Sequence, residues 1–235
     1  MSLRTETNDG ILVITLDDGG RNALVPDTFA ALNDALDAGA DADAIVLAGR
    51  EGALTVGLDV KWMQGAGRDD VGHMLRQLGR TCMRLWTDPR PTVCAATGHA
   101  LAAGTMLAMA CDHTVAAEGG YAWGLVETRI DFEMPQYGLA LARHNVRADR
   151  LEPLLIAGER VDPATAVEVG FADEQCAPDE VLPRARERAR ELADLPARAY
   201  GRTKARLRAD AAATVLDEID ADITEVVAHL PAQVD

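Results

Sequence analysis

Serine occurs once in this 235-residue chain, at Ser2, and lysine only twice, at Lys61 and Lys204. A single terminal serine excludes a Ser-His-Asp hydrolase, which needs its nucleophile held against a histidine inside a folded site. There is no Gly-x-x-x-x-Gly-Lys-Ser/Thr phosphate loop and no His-Glu-x-x-His zinc helix. Gly65-Ala66-Gly67 lacks the rest of a dinucleotide fingerprint and reads as a flexible loop. Positive charge is scarce too: 23 Lys and Arg against 38 Asp and Glu leave a net −15 at pH 7. That argues against a nucleic-acid partner, whose phosphates need clustered Lys and Arg. No apolar run reaches the length of a membrane span, and the first residues lack the basic-then-apolar pattern of a secretory signal. A soluble cytoplasmic protein with no membrane partner is the expectation. Cysteine is limited to Cys82, Cys94, Cys111 and Cys176, scattered in apolar contexts. These are expected to be reduced core thiols, with neither a disulfide framework nor a metal site.

The hydrophobic content, 48%, suits one core domain with at most a small appendage. Residues 11–16 are apolar and β-branched, the composition of a strand. Residues 44–48, 92–96 and 113–117 read as further strands. Pro26, early in a helix and followed by Phe29, Leu32 and Leu36, marks an amphipathic helix. A second helix over residues 71–86 runs through Met74, Leu75, Leu78, Cys82, Met83 and Leu85, and Asp88-Pro89-Arg90-Pro91 ends it. Strands alternating with helices indicate an α/β protein. The later chain reads as helical. Asp162 is an N-cap with Pro163 at the first helical position. Alternating Arg and Glu over residues 178–193 mark a solvated helix face. Two more helices are expected, over residues 198–207 and 211–230.

Two segments stand out. Gly98-His99-Ala100-Leu101-Ala102-Ala103-Gly104-Thr105-Met106 follows a buried strand and passes through small residues into a helical pattern, continuing to Cys111-Asp112. Gly49-Arg50-Glu51-Gly52-Ala53-Leu54-Thr55-Val56-Gly57-Leu58-Asp59-Val60-Lys61 does the same about forty residues earlier. Small residues allow close backbone approach, and free N–H groups at such a turn favour negative charge. Two turns of this kind would offer two N–H groups to one oxygen that becomes anionic during a reaction. Each alone would equally suit ordinary strand–turn–helix packing.

Taken together, these segments resemble the crotonase, or enoyl-CoA hydratase/isomerase, superfamily. Thr55-Val56-Gly57-Leu58-Asp59 resembles its small-x-Gly-x-Asp loop, and the run from Gly98 to Asp112 resembles its Gly-x-Ala-x-Gly-Gly-Gly…Leu-Ala-x-x-Cys-Asp segment. Arg21-Asn22-Ala23-Leu24 resembles the early Arg-x-Asn-Ala-Leu signature beside the CoA adenine. The similarity runs from about residue 11 to beyond residue 205. It implies a crotonase-like α/β spiral of β-β-α units in place of a doubly wound sheet. Residues 1–194 would form the core with the acyl-CoA site. Residues 195–235 would form a C-terminal helical segment that builds a homo-oligomer, a trimer or a dimer of trimers. The partner implied is an acyl-CoA or enoyl-CoA, with no further cofactor.

The resemblance also assigns roles. Leu58 and Ala103 would supply the two backbone N–H donors of an oxyanion hole, and losing one such donor costs ~3 kcal/mol. Ala103 stands where the family usually has glycine, so its φ must be negative. Leu58, bulkier than the usual alanine, would narrow the acyl pocket. Arg21 and Lys61 are the candidate phosphate contacts, with Ala23, Leu24, Gly57 and Met106 as further CoA or substrate contacts. Hydratases of the family use two glutamates. Met106 takes the place of the first, and a thioether cannot transfer a proton. The second survives as Glu127, in Tyr121-Ala122-Trp123-Gly124-Leu125-Val126-Glu127-Thr128, which resembles the Gly-Leu-Asn-Glu-Thr segment of Δ3,Δ2-enoyl-CoA isomerases with Val126 in place of Asn. Met134-Pro135 lies at the spacing seen in those isomerases. An isomerase with Glu127 as sole base is therefore expected, its carboxyl pKa raised by apolar neighbours. Two alternatives stay open: hydration through Glu127 alone or with Asp131 or Glu133, and an acyl-CoA binding protein without catalysis.

Overall fold

The computed structural model describes residues 2–230; the last five residues of the expected C-terminal segment lie outside the described residues. Its centre is a six-stranded sheet in the order β1-β2-β3-β5-β7-β9. The strands are β1 (Ser2–Asn8), β2 (Ile11–Asp17), β3 (Ala44–Ala48), β5 (Thr92–Ala96), β7 (His113–Ala117) and β9 (Glu174–Cys176). Every pairing is parallel except the β1–β2 hairpin. Asp9 and Gly10 close that hairpin at φ 51° and 74°, the left-handed pair that a two-residue turn between twisted strands requires.

Parallel strands covered on both faces read as continuous apolar runs, which is why β3, β5 and β7 were plain in the sequence. Side-chain alternation then divides them between two cores. Ile11, Val13, Ala44, Val46, Val93 and Val115 face α8 (Val181–Ala193) through Val181, Ala185 and Ala189. Leu12, Ile14, Leu16, Ile45, Leu47, Cys94 and Ala116 face the larger core. That core is built by α1 (Pro26–Ala38), α3 (Arg68–Thr87), α4 (Ala103–Met109), α5 (Gln136–Asn145) and the last helix, α9 (Ala197–Ala228).

A second sheet, β4-β6-β8, is parallel throughout; the resemblance implied second strands of this kind, but no strand was read from these residues themselves. Its strands β4 (Gly52–Thr55), β6 (Gly98–Leu101) and β8 (Trp123–Gly124) are four, four and two residues long, too short for a periodic signal. Each follows directly on a strand of the large sheet and leads to a helix: β4 to α2 (Val60–Gly65), β6 to α4, and β8 through the 3-10 turn Glu127–Ile130 to α5. These are the β-β-α units that the resemblance implies. A 3-10 turn (Ala148–Arg150), α6 (Leu151–Leu155) and α7 (Pro163–Val169) complete the chain before β9. The Asp162 side chain caps α7 by accepting the Thr165 N–H at 2.7 Å.

The two C-terminal helices expected from the sequence are one helix, α9, of 32 residues. Arg208-Ala209-Asp210 joins the two expected pieces without a glycine or proline, so nothing interrupts the backbone ladder. α9 lies along α3 and α5 and buries Ala212, Val215, Ile219, Ile223 and Val226 in the larger core. Its first half is tied down by Asp112. That carboxylate accepts hydrogen bonds from Lys204 Nζ at 2.8 Å, Arg208 at 2.6 Å, the Tyr200 hydroxyl at 2.7 Å and the Thr92 N–H at 2.9 Å. Asp112, which closes the second motif, is thus an anchor for the C-terminal helix. Lys204 is buried, and desolvation pulls its pKa down against the attraction of Asp112. Cys82, Cys94 and Cys111 are buried free thiols, and Cys176 is half-buried. Among the described residues no helix is long and apolar enough to cross a membrane.

Candidate active site

Gly57 carries the first loop from β4 toward α2 with φ +100°, open only to glycine without strain. Leu24 clamps it from one side. The Leu24 N–H donates to the Gly57 carbonyl and the Asp59 N–H donates to the Leu24 carbonyl, both at 2.9 Å. A trans peptide is planar, with its C=O and N–H on opposite sides. Because the Gly57 carbonyl faces Leu24, the Leu58 N–H points the other way. Asp59 then caps α2, accepting the N–H groups of Lys61 at 2.9 Å and Trp62 at 3.1 Å.

The second loop turns at Ala102, at φ 50° and ψ −116°. A non-glycine residue there stores ~1–3 kcal/mol of strain, and such strain gathers at functional sites. The Ala102 N–H donates to the Gly124 carbonyl at 2.8 Å. Ala103 is the first residue of α4 and is not among the left-handed residues, as the expected donor role would require. Neither the Leu58 nor the Ala103 N–H donates a hydrogen bond among the described residues. The loops abut: a Cβ placed on Gly57 would lie 3.2 Å from the Ala102 Cβ and 3.8 Å from the Ala103 nitrogen. Two free N–H groups on touching loops are what an oxyanion hole needs.

Glu127 opens the 3-10 turn after β8, a strand held by β6 on one side and by the Trp123–Val161 bridge on the other. Its side chain is 5% exposed, and Oε2 has no hydrogen-bond partner among the described residues. Burial pushes its pKa up to about 7, against a smaller lowering from a backbone hydrogen bond. The Thr105 hydroxyl links the second loop to this strand: it donates to the Ala100 carbonyl at 2.7 Å and accepts the Gly124 N–H at 3.2 Å. Met106, one turn after Ala103 and buried, reaches across to α5. A Cβ on Gly138 would meet Met134 Sδ at 2.5 Å and Met106 Cε at 3.2 Å. Tyr137, also on α5, is buried, and its hydroxyl has no partner among the described residues. Desolvation, then Cys82, then Glu127 drive its pKa up.

The other expected residues divide by exposure. Arg21 and Lys61 are exposed, Ala23 is half-buried at the end of an exposed turn, and Gly57 is buried between the loops. Arg21 adjoins His99, whose pKa is lowered by burial and then by that guanidinium. Leu24 needs correcting. Its side chain is wholly buried in the core, out of reach of a ligand, and its contribution is the backbone clamp on Gly57. Asp131 and Glu133, the alternative acids, are exposed. Asp131 takes a left-handed φ of 56°, and Glu133 pairs with His229 at 3.2 Å. Both line a cavity of about 290 Å3 closed by Phe132 and Leu230, unlike the enclosed Glu127. Another cavity, of about 460 Å3, lies beside the Asp112 anchor on α9, and neither Glu127 nor either loop lines it.

Asn22 and Thr55 were quoted in the motifs but given no role. Both are wholly buried and both support the first loop. Asn22, at φ 56°, donates from Nδ2 to the carbonyls of Leu16 at 2.8 Å and Leu54 at 2.9 Å. The available signal in the sequence was an Asn just past Gly19-Gly20, a residue type that tolerates the left-handed φ found here.

Residues 6–233 match the family described as Enoyl-CoA hydratase/isomerase. A peroxisomal enoyl-CoA delta isomerase of Arabidopsis thaliana is 28% identical over 179 residues, 72% of this chain and 74% of that protein. Two solved structures are similar throughout. An enoyl-CoA hydratase from Mycobacterium marinum is 33% identical, with a TM-score of 0.88 over 94% of this chain and 99% of that one. A protein from Mycobacterium tuberculosis, described in one structure as an enoyl-CoA isomerase and in another as a probable enoyl-CoA hydratase, is 33% identical, with a TM-score of 0.87 over 94% of this chain and 98% of that one in the first.

Proposed function

We propose that this chain, which belongs to the enoyl-CoA hydratase/isomerase family, moves the double bond of a 3-enoyl-CoA into conjugation with its thioester, using Glu127 as the single proton carrier. The thioester carbonyl oxygen sits between the Leu58 and Ala103 N–H groups. Glu127 removes a proton from C2, and the electron pair moves onto the carbonyl oxygen as an enolate. The two N–H groups bind this oxygen more tightly as it gains charge, and that difference lowers the barrier. Glu127 then returns the proton to C4 while the electrons collapse to a C2–C3 double bond. The same proton leaves and re-enters the substrate, so no second acid is required.

The observation that carries this reading is the condition of Glu127: enclosed, with no hydrogen-bond partner for Oε2 among the described residues and a pKa pushed up to about 7. A group that must take and give back one proton works best with a pKa near the working pH. Met106 supports the same reading, because it puts a thioether where hydration would need a second positioned acid. Arg21 and Lys61, both exposed, are the local positive charges offered to CoA phosphates on an otherwise acidic surface.

Relatives named as hydratases keep hydration as a second reading. One pair of assays separates the two. With a 3-enoyl-CoA, conjugated-thioester absorbance should appear in the wild type and fall ~10²–10⁴-fold in rate in Glu127→Gln. With a 2-enoyl-CoA, loss of that absorbance would indicate hydration. Undiminished isomerisation in Glu127→Gln would remove the assignment.

A further inference from the structure

We infer that Thr55 is a positioning residue that sets both the direction and the spacing of the two N–H donors. The inference rests on the proposed oxyanion hole and goes beyond it. Thr55 ends β4, is wholly buried, and touches both loops.

Its hydroxyl works on the first loop. Oγ1 donates to the Asn22 carbonyl and accepts the Gly57 N–H at 3.0 Å. Gly57 is therefore held at both ends, its N–H by Thr55 and its carbonyl by the Leu24 N–H. With both ends held, the next peptide plane has no rotation left, and the Leu58 N–H is aimed in one direction. Asn22 in turn is fixed by its side-chain bonds to Leu16 and Leu54, so the hydroxyl's own acceptor is rigid.

The remainder of Thr55 works on the second loop. A Cβ on Gly104 would come within 2.6 Å of the Thr55 carbonyl and 3.0 Å of its Cγ2 methyl. The first turn of α4 thus rests directly against Thr55, and Ala103 is the residue beside that contact. Thr55 consequently fixes the aim of Leu58 with its hydroxyl, while its backbone carbonyl, with the methyl beside it, sets how closely the Ala103 turn approaches. Serine would keep the hydroxyl and the carbonyl contact; valine would lose the hydroxyl.

The test compares wild type with Thr55→Val, Thr55→Ser and Gly104→Ala. Far-ultraviolet circular dichroism and thermal melting check that each remains folded. Acetoacetyl-CoA is the probe, because its β-keto thioester binds as an enolate where an oxyanion hole is formed, and the enolate has its own ultraviolet band. The expected result is a strong enolate band in the wild type, a band retained in Thr55→Ser, and one lost in Thr55→Val and Gly104→Ala. On a 3-enoyl-CoA, Thr55→Val should lose about 10²-fold in kcat with KM changing far less, the scale of an ångström of misplacement. Thr55→Ser should stay within several-fold. If Thr55→Val does not fold, Gly104→Ala and Thr55→Ser decide. An enolate band in Thr55→Val or Gly104→Ala equal to the wild type would overturn the inference while leaving the oxyanion hole intact. Equal loss in Thr55→Val and Thr55→Ser would overturn the role of the hydroxyl. A wild type with no enolate band would overturn the oxyanion hole itself, and this inference with it.

Discussion

Replacing Glu127 by glutamine removes a carboxyl that the fold holds in its protonated form at a cost. Burial raises its pKa from the ordinary 4.5 to about 7. Below the lower value both folded and unfolded chains carry the proton, and there is no penalty. As pH rises toward 7 the unfolded chain gains by ionising while the folded chain does not. Stability is therefore lost across that window, and the penalty is complete above it. At about 1.4 kcal/mol per pKa unit, the window corresponds to about 3 kcal/mol. Glutamine cannot ionise, so its stability relative to the wild type should improve by this amount as pH rises. A buried amide costs something of its own, but that cost does not vary with pH and cancels in the trend. Denaturant unfolding of both proteins from about pH 5 to about pH 8, at one protein concentration, gives the difference directly. A rising difference that levels off above pH 7 is expected. A difference flat with pH would refute the argument, whatever its size, because a carboxyl free to ionise in the fold contributes no slope. With the kinetic loss expected of the same variant, this is a trade of stability for a usable proton carrier.

Other expectations follow from single contacts. Met106→Glu puts a second carboxyl on α4, one turn from Ala103; hydration of a 2-enoyl-CoA should rise at least tenfold, and the melting temperature should drop because the new charge is buried beside Met134 and Gly138 without a partner. Asp112→Asn leaves Lys204 and Arg208 without their carboxylate and should cost ~3–5 kcal/mol by denaturant unfolding; a loss under about 1 kcal/mol would mean that the ion pairs do not anchor α9. Ala102→Gly relieves a left-handed backbone and should stabilise by about 1 kcal/mol, read as a higher melting temperature; an unchanged or lower one would show that the turn is unstrained.

Much of this molecule was determined locally. The strands Ala44–Ala48, Thr92–Ala96 and His113–Ala117 are short apolar runs with no alternative way to hide their side chains. The α1 and α7 starts follow from Pro26 and from the Asp162-Pro163 cap, which act within a few residues. Glu127, Leu58 and Ala103 were legible only as members of recognisable motifs, since nothing in their own neighbourhoods distinguishes them from a loop carboxylate or two small turns. Tertiary structure decided the rest. β4, β6 and β8 become strands because they pair with one another, not because of any pattern within them. Asn22 and Thr55 meet across 33 residues of chain, and the bond between them exists only once the loop after β2 has been laid against the end of β4. The direction of the Leu58 N–H is set by Leu24 in the same way. Even the chemistry of Glu127 depends on distant residues. A carboxyl pKa responds to how much water its surroundings exclude; the apolar neighbours of Glu127 gave the direction, and the fold added α5, whose buried Tyr137 lies close enough to feel its charge.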